Sequence, residues 1–360
     1  MAKFHSLQVA GITQETPDCV SVVFDVPESL LPEFTYVQGQ YLTLKLNVDG
    51  EEIRRSYSLC SSPVTDKELR VAVKKVTNGK GSTWINERMN IGDTIDVMTP
   101  MGNFYSRLEA SNKKHYVLFA GGSGITPMLS IMKSVLAIEP NSRVTLIYGN
   151  RDEQSVIFKK QIDELEKNNS SRLKVIHVLE NPPAGTETMY TGMLLPEKAK
   201  AIFDKHIGLA PENEYFICGP APMMENVRKV LDEVKAPLDR THIEYFSAVI
   251  EAVNAAEKKS AAPGGKLVSK VTIILDGDQQ TFDIPSDGQT VLDTAINAKM
   301  DVPFACKGAV CCTCRGKIIE GKATMAMNYA LTEQEVEDGY ILTCQAHPAS
   351  ETLIVSYDEP

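Results

Sequence analysis

"CKGAVCCTCRGK", residues 306–317, sets Cys306, Cys311, Cys312 and Cys314 within one short loop. Cys306, Cys311 and Cys314 are spaced C-x4-C-x2-C, and Cys344 follows after 29 intervening residues in "LTCQAHP". This is the plant-type [2Fe–2S] spacing. A short loop wraps only one side of two irons, so a distant fourth thiolate must close the cage. Gly308 and Gly316 are expected to relieve crowding where backbone N–H groups approach sulfur. A zinc site would prefer paired C-x2-C units, and only Cys311 and Cys314 form one. A disulfide pair would call for a secreted chain. Cys312 is the surplus thiol and is expected to have no role beyond packing.

The composition around this loop is ordinary for a globular protein. The chain has 360 residues, 43% of them apolar and 23% charged, enough for two or three cores. No run of about 18 apolar residues occurs, so no membrane span is expected. The N-terminal "MAKFHSLQVAGITQETPD" carries no apolar signal region, so a cytoplasmic location is expected. The net charge of −10 argues against a nucleic-acid partner. From Leu267 to Pro360 there are 6 Lys+Arg against 14 Asp+Glu, a balance of −8. This imbalance is either a solvated surface or a docking face for a basic partner.

Three blocks precede or contain the loop. Residues 1–107 hold six short runs rich in Val, Ile, Thr and Tyr, punctuated by Gly, Pro, Asn and Asp, which predict a small antiparallel barrel. Residues 112–247 alternate strand and helix patterns, predicting a parallel α/β domain. There Thr126 is expected to cap a helix, with Pro127 in its first turn. Phe158, Ile162 and Leu165 in "SVIFKKQIDELEK" share one helical face. Residues 248–266, Ala-rich and then Pro-Gly-Gly, are expected to be a linker. Residues 267–360 form a small α+β block containing the cysteine loop.

Each of the first two blocks contains a motif suited to a nucleotide cofactor. In "RRSYSLCSSP", Arg55 can grip a pyrophosphate, Tyr57 can underlie a flavin ring, and the Ser58 hydroxyl can bond to flavin N5, with Ser56 between them. Gly79, Gly81, Ser82 and Thr83 in "NGKGSTW" can hold phosphate at a helix start. "AGGSGITPM" follows a strand and opens a helix, with Gly121, Gly122 and Gly124 permitting close approach of a phosphate. No acidic residue occupies the tip of the next strand, and Arg151 there invites a 2′-phosphate, favouring NADPH over NADH, although Asp152 follows directly. "CGPAPMM" places Cys218 and Gly219 at a strand end beside the expected ring pocket, where a plain buried cysteine is the alternative.

"RSYS", "GGSGITPM" and "CGP", in this order, resemble the ferredoxin–NADP reductase superfamily, and the resemblance spans essentially the whole chain. It implies an antiparallel flavin-binding β-barrel, a Rossmann-like nucleotide domain and a C-terminal β-grasp ferredoxin domain, as in electron-transfer subunits of multicomponent oxygenases. "GKGST" resembles the FAD-type phosphate loop, although some relatives with this layout use FMN. The resemblance implies flavin contacts from Arg55, Tyr57 and Ser58, and pyrophosphate contacts from Gly81, Ser82 and Thr83. Gly122, Thr126, Arg151 and Cys218 would line the nicotinamide-nucleotide site, and Tyr245 or Phe246 would lie near the flavin. The implied route is NADPH to FAD to the [2Fe–2S] centre, with Ser58 and Cys218 orienting the rings. "MNYALTEQEVEDGYILTCQ" is similar to reductase subunits of ring-1,2-phenylacetyl-CoA epoxidases, implying electron delivery to a di-iron oxygenase of aerobic phenylacetate degradation. Reductases of ketosteroid, alkane and other ring-attacking systems share the layout. Glu333, Glu335, Glu337 and Asp338 are the expected docking acids.

Overall fold

The computed structural model describes residues 3–246 and 267–359, so the linker expected over 248–266 lies outside the described residues. Three sheets follow one another along the chain. The first is a six-stranded antiparallel sheet curled on itself, built from β1 (Phe4–Thr16), β2 (Cys19–Asp25), β3 (Tyr41–Val48), β4 (Glu51–Ser58), β5 (Leu69–Lys74) and β6 (Thr94–Met98). Its order is β4-β3-β6-β1-β2-β5. Alternating residues such as Leu42, Leu44 and Leu46 enter its core together with Val22, Val71 and Val97. Helix α1 (Lys80–Glu87) follows β5.

The second sheet is all parallel. Strands β7 (His115–Gly121), β8 (Arg143–Asn150), β9 (Leu173–Leu179), β10 (Asn213–Cys218) and β11 (Thr241–Glu244) take the order β11-β10-β7-β8-β9. Helices α2 (Ile125–Ile138), α3 (Lys159–Asn168), α4 (Pro196–His206) and α5 (Ala221–Glu233) cover it. Every residue of β7 and β10 is buried, as expected for central strands of a sheet covered on both faces. Two local expectations are revised. Helix α2 is N-capped by Gly124, and the Thr126 hydroxyl inside its first turn donates to the Ser123 carbonyl. Helix α3 begins only at Lys159, because Phe158 takes a left-handed φ of 61°. Its ring nonetheless shares a core with Ile162 and Leu165.

The third sheet has the order β13-β12-β16-β14-β15, built from β12 (Val268–Leu275), β13 (Asp278–Pro285), β14 (Arg315–Met325), β15 (Tyr340–Leu342) and β16 (Ala346–Ser356). Helix α6 (Val291–Asn297) packs its buried Val291, Leu292 and Ala295 on this β-grasp sheet, and α7 (Glu333–Glu337) precedes β15. The cysteine loop links α6 to β14. Among the described residues no helix is long and apolar enough to cross a membrane.

Candidate active site and cluster loop

The barrel and the parallel sheet share one core. Cys19, Cys60, Ala72 and Phe104 pack with Ile125, Met128 and Leu129 of α2 and with Cys218. Polar contacts fix the seam: Ser130 Oγ donates to the Ser61 carbonyl at 2.6 Å, and Lys133 pairs with Asp66 at 2.7 Å. The C-terminal ends of β7, β8 and β10 therefore face the barrel. Ligands of open α/β sheets bind at this edge.

The Ser58 hydroxyl donates to Glu244 Oε2 at 3.1 Å. Glu244 ends β11 in register with Cys218 at the end of β10. Ser58, Glu244 and Cys218 thus meet where the barrel touches the parallel sheet. Burial pushes the Glu244 carboxyl up to about 8, against the lowering effect of its bond from Ser58. Burial, and secondarily Glu244, holds the Cys218 thiol well above the usual range, so it stays a neutral thiol. Sequence patterns do not single out Glu244, although it stands within "HIEYFS". The available signal is a solitary acid at the C-terminal end of an α/β strand. Of its aromatic neighbours, Tyr245 packs against Tyr329 with ring centroids 5.2 Å apart, whereas Phe246 packs on the shared core that holds Cys218.

Arg55 stands on β4, two residues before Tyr57, and its Nη1 donates to the Arg54 carbonyl at 2.8 Å. A Cβ placed on Gly81 would lie 3.6 Å from Arg55 Cγ, so the first turn of α1 sits directly against the arginine. The N-terminus of α1 has no side-chain cap and no acidic residue in its first turn. An uncapped helix start beside a guanidinium fits an anionic pyrophosphate. The hydroxyl of Ser82 is committed to the preceding turn, accepting from Val76 N at 3.1 Å and donating to the Gly79 carbonyl at 3.2 Å. Its hydroxyl is therefore not free for a phosphate, in contrast to the sequence expectation. Thr83 lines a cleft of about 320 Å³ with Gly79, Lys80 and Trp84 at the same helix. Ser56 points elsewhere: its Oγ lies 3.1 Å from Thr43 Oγ1.

The nucleotide loops interlock. A Cβ on Gly124 would fall 2.1 Å from the Cys218 carbonyl oxygen, so only glycine lets the "GGSG" turn close on the "CGP" turn. Gly219 has the same relation to Gly121, at 2.9 Å from its nitrogen. Gly122 takes a φ of +51°, and its carbonyl accepts from the Tyr148 hydroxyl. The uncapped start of the fourteen-residue α2 opens on this turn, which fits a nucleotide phosphate. Arg151, just past β8, is 60% exposed and lies 3.3 Å from Asp18 of the barrel. Asp152 is spent locally, its carboxylate accepting from Ser155 N in a capping box.

The four ligand candidates form two thiol pairs. Cys306 and Cys311 sulfurs lie 3.1 Å apart. The bond between them holds the Cys306 proton tightly, and Cys311 is correspondingly pushed down. Cys314 and Cys344 repeat this relation, with Cys344 the acceptor pushed down. Among the described residues no group of three or more His, Cys, Asp or Glu is arranged to hold a single metal ion. Two pairs of thiols suit two irons, one pair for each. Backbone N–H groups of Gly308 and Ala309 point at Cys306 and Cys344. Left-handed φ falls on Lys307 and Ala309 rather than on Gly308. Gly316 has a different reason from the one expected: a Cβ there would meet Val355 Cγ1 at 2.9 Å, so it serves packing of β14. Cys312 is not a bystander. It is buried, and its Sγ lies 3.3 Å from the Tyr41 hydroxyl on the barrel. Of the expected docking acids, Glu335 is engaged by Arg315 and by Asn103 of the barrel, both at 2.8 Å, whereas Glu333, Glu337 and Asp338 are exposed.

The family models described as oxidoreductase FAD-binding domain, oxidoreductase NAD-binding domain and 2Fe-2S iron–sulfur cluster binding domain match residues 6–105, 118–229 and 273–349. Over 358 residues the chain is 36% identical to a 1,2-phenylacetyl-CoA epoxidase subunit of Escherichia coli, covering 99% of each. The chain belongs to the ferredoxin–NADP reductase superfamily. Within that superfamily it is an NAD(P)H-dependent oxidoreductase with flavin, nucleotide and [2Fe–2S] domains, of the type that forms the reductase component of multicomponent oxygenases. It is also 37% identical over 361 residues to the ferredoxin reductase component of 3-ketosteroid-9-alpha-monooxygenase from Mycobacterium tuberculosis, covering 98% of this chain and 96% of that one. Phthalate dioxygenase reductase, a modular structure for electron transfer from pyridine nucleotides to [2Fe-2S], shares the fold with a TM-score of 0.58 at 23% identity, 98% of each chain being covered.

Proposed function

We propose that this reductase takes electrons from NADPH and delivers them to the di-iron oxygenase of a phenylacetyl-CoA epoxidase. The bound groups supply a hydride from the nucleotide, two-electron storage in FAD and one-electron release at a plant-type centre near about −400 mV. The protein's own contribution is position. Arg55 and the N–H groups of Gly81 and Ser82 hold the FAD pyrophosphate, and Tyr57 supports the ring. Ser58, Cys218 and Glu244 orient the nicotinamide against it, with Phe246 closing the shared core behind them. Gly122, Gly219 and the α2 start hold the nucleotide phosphates, and Thr126 braces that turn. Cys306 with Cys311 and Cys314 with Cys344 ligate the two irons. The domains divide at 1–107, 112–247 and 267–360.

The observation that carries the reading is the convergence of Ser58, Glu244 and Cys218 at the same barrel sheet that touches the cysteine loop. The full-length likeness to an epoxidase component supports the choice of acceptor. The commitment of Asp152 to a cap leaves Arg151 as the residue that would meet a 2′-phosphate, which supports NADPH. All eight cysteines are free, which suits a cytoplasmic protein. The test is reconstitution: the holoprotein, NADPH and a purified epoxidase oxygenase component should consume phenylacetyl-CoA. Turnover only with a ketosteroid oxygenase component would replace this acceptor with that one, in line with the likeness to the ketosteroid reductase. Arg151→Ala should raise KM for NADPH several-fold and leave KM for NADH unchanged; equal changes would remove the 2′-phosphate role.

A further inference from the structure

One face of the barrel sheet carries three residues, Tyr41, Thr43 and Arg54, whose contacts no family motif explains. In the β3–β4 ladder Tyr41 is opposite Ser58, Thr43 opposite Ser56, and Lys45 opposite Arg54. Directly opposed residues of an antiparallel pair share a face, with Cβ atoms about 5 Å apart. Ser58 meets Glu244 at one end of this face. The same face receives the ferredoxin domain along its remaining length.

Tyr41 is the centre of that contact. It is 6% exposed, and although it belongs to a barrel strand its side chain packs in the ferredoxin core with Cys311, Cys312 and Cys314. Its hydroxyl accepts from the Cys312 backbone N–H at 3.0 Å and lies 3.3 Å from both Cys312 Sγ and Thr313 Oγ1. These residues stand between two predicted iron ligands. The ring is fixed from the barrel side as well: Gly102, at φ +119°, lies so close that a Cβ would meet Tyr41 Cδ1 at 3.0 Å. Thr43 adds a second bond to Thr313, at 3.3 Å. Farther along, Arg54 inserts its side chain, 6% exposed, between the domains. Its guanidinium pairs with Asp301 at 2.9 Å, donates to the Val302 carbonyl at 3.3 Å and stacks 4.3 Å from the Phe304 ring. A buried hydroxyl and a buried guanidinium are costly unless satisfied. Arg54 Nε pairs with Glu52 of the barrel at 2.8 Å, whereas its two Nη groups and the Tyr41 hydroxyl are engaged by the other domain, which favours one docking pose.

We propose that Tyr41 is a positioning residue for the flavin-to-cluster transfer, its hydroxyl holding the Cys312–Thr313 turn against β3, directly opposite Ser58 on β4. The inference rests on the electron route given above. It adds that the ferredoxin domain receives electrons docked on β3 and β4 rather than by diffusing to them. Each transfer makes and breaks no bond: the flavin loses one electron and the cluster gains one. The hydride brings two electrons, so two such transfers follow each NAD(P)H, and the flavin proton leaves to solvent. Reoxidation of the cluster falls to the oxygenase, or to cytochrome c in an assay. Cys312 therefore has work to do without binding iron.

The experiment uses the full-length holoprotein and its Tyr41→Phe variant, after iron and flavin contents are matched. Stopped-flow absorbance separates flavin reduction by NADPH from the later bleaching of the cluster. Tyr41→Phe should leave flavin reduction and ferricyanide activity unchanged and slow cluster bleaching about tenfold, the scale of one lost buried hydrogen bond. The electron paramagnetic resonance spectrum of the dithionite-reduced cluster should shift, because the Cys312 N–H loses its acceptor beside Cys311. An unchanged bleaching rate with an unchanged spectrum would overturn the proposal. So would wild-type bleaching that slows in proportion to viscosity in sucrose, the mark of a diffusing domain; this arm needs no variant. Failure of wild-type ferricyanide reduction would instead refute the underlying route.

Discussion

Glu244→Gln tests the chemistry at the barrel edge most directly. The wild-type carboxyl is raised from 4.5 to about 8 by burial. For an acid raised in the folded state, the native form binds the proton more tightly than the unfolded chain. Stability is therefore full below the unfolded value of about 4.5 and falls as pH rises to the folded value, beyond which the loss is complete. At 1.36 kcal/mol per unit, the ceiling of that loss is roughly 5 kcal/mol. The residue keeps partial solvent access and the Ser58 bond, both of which stabilise the anion, so a fall of about 2 kcal/mol is expected. Glutamine cannot ionise and should flatten the curve. The assay is thermal unfolding of both proteins from about pH 5 to about pH 9. The wild type should lose Tm relative to the variant only across that interval. Flavin reduction by NADPH should show an ionisation near the same value in the wild type and none in the variant. Parallel Tm curves, or a rate ionisation that survives the substitution, would refute the assignment of a neutral Glu244.

Three further outcomes follow from the same geometry. Cys344→Ser should lose iron and cytochrome c reduction while keeping NADPH-driven ferricyanide reduction; iron analysis and the two assays decide it, and loss of both activities would contradict the division of labour. Cys312→Ala should retain full iron content, whereas the same change at Cys306, Cys311 or Cys314 should not. Gly124→Ala places a methyl 2.1 Å from the Cys218 carbonyl, so the two nucleotide loops must part. A loss of about 2 kcal/mol in stability, read by denaturant midpoint, and weaker nucleotide binding are expected.

The proposed cluster ligands can be read from the sequence because three of them sit within one short loop at the plant-type [2Fe–2S] spacing. The fold is legible for a similar reason: strand alternation in β1–β6 and buried runs such as "HYVLFA" are local patterns. The start of α3 is not, because Phe158 satisfies the helical apolar spacing from a left-handed backbone, a distinction that periodicity does not carry. Glu244 escapes for a different reason. Its importance depends on β11 lying parallel to β10 with Cys218 in register, a pairing fixed by packing between segments 26 residues apart. In "HIEYFS" the aromatics draw attention, yet only the strand pairing brings the acid to Ser58.

The case of Cys312 separates two kinds of information. Spacing identifies what a cysteine cannot be: with its neighbour Cys311 already placed in the C-x4-C-x2-C frame, Cys312 falls outside the ligand set. Spacing is silent on what such a thiol meets instead. It meets Tyr41, 271 residues earlier in the chain. A hydroxyl bonded to the turn between two proposed ligands and a ring slotted against Gly102 would tie cluster geometry to barrel geometry. Domain docking and cluster environment are then one variable rather than two. A substitution at Tyr41 that disturbed docking while leaving the cluster spectrum untouched would show that they are separable, and would break this link.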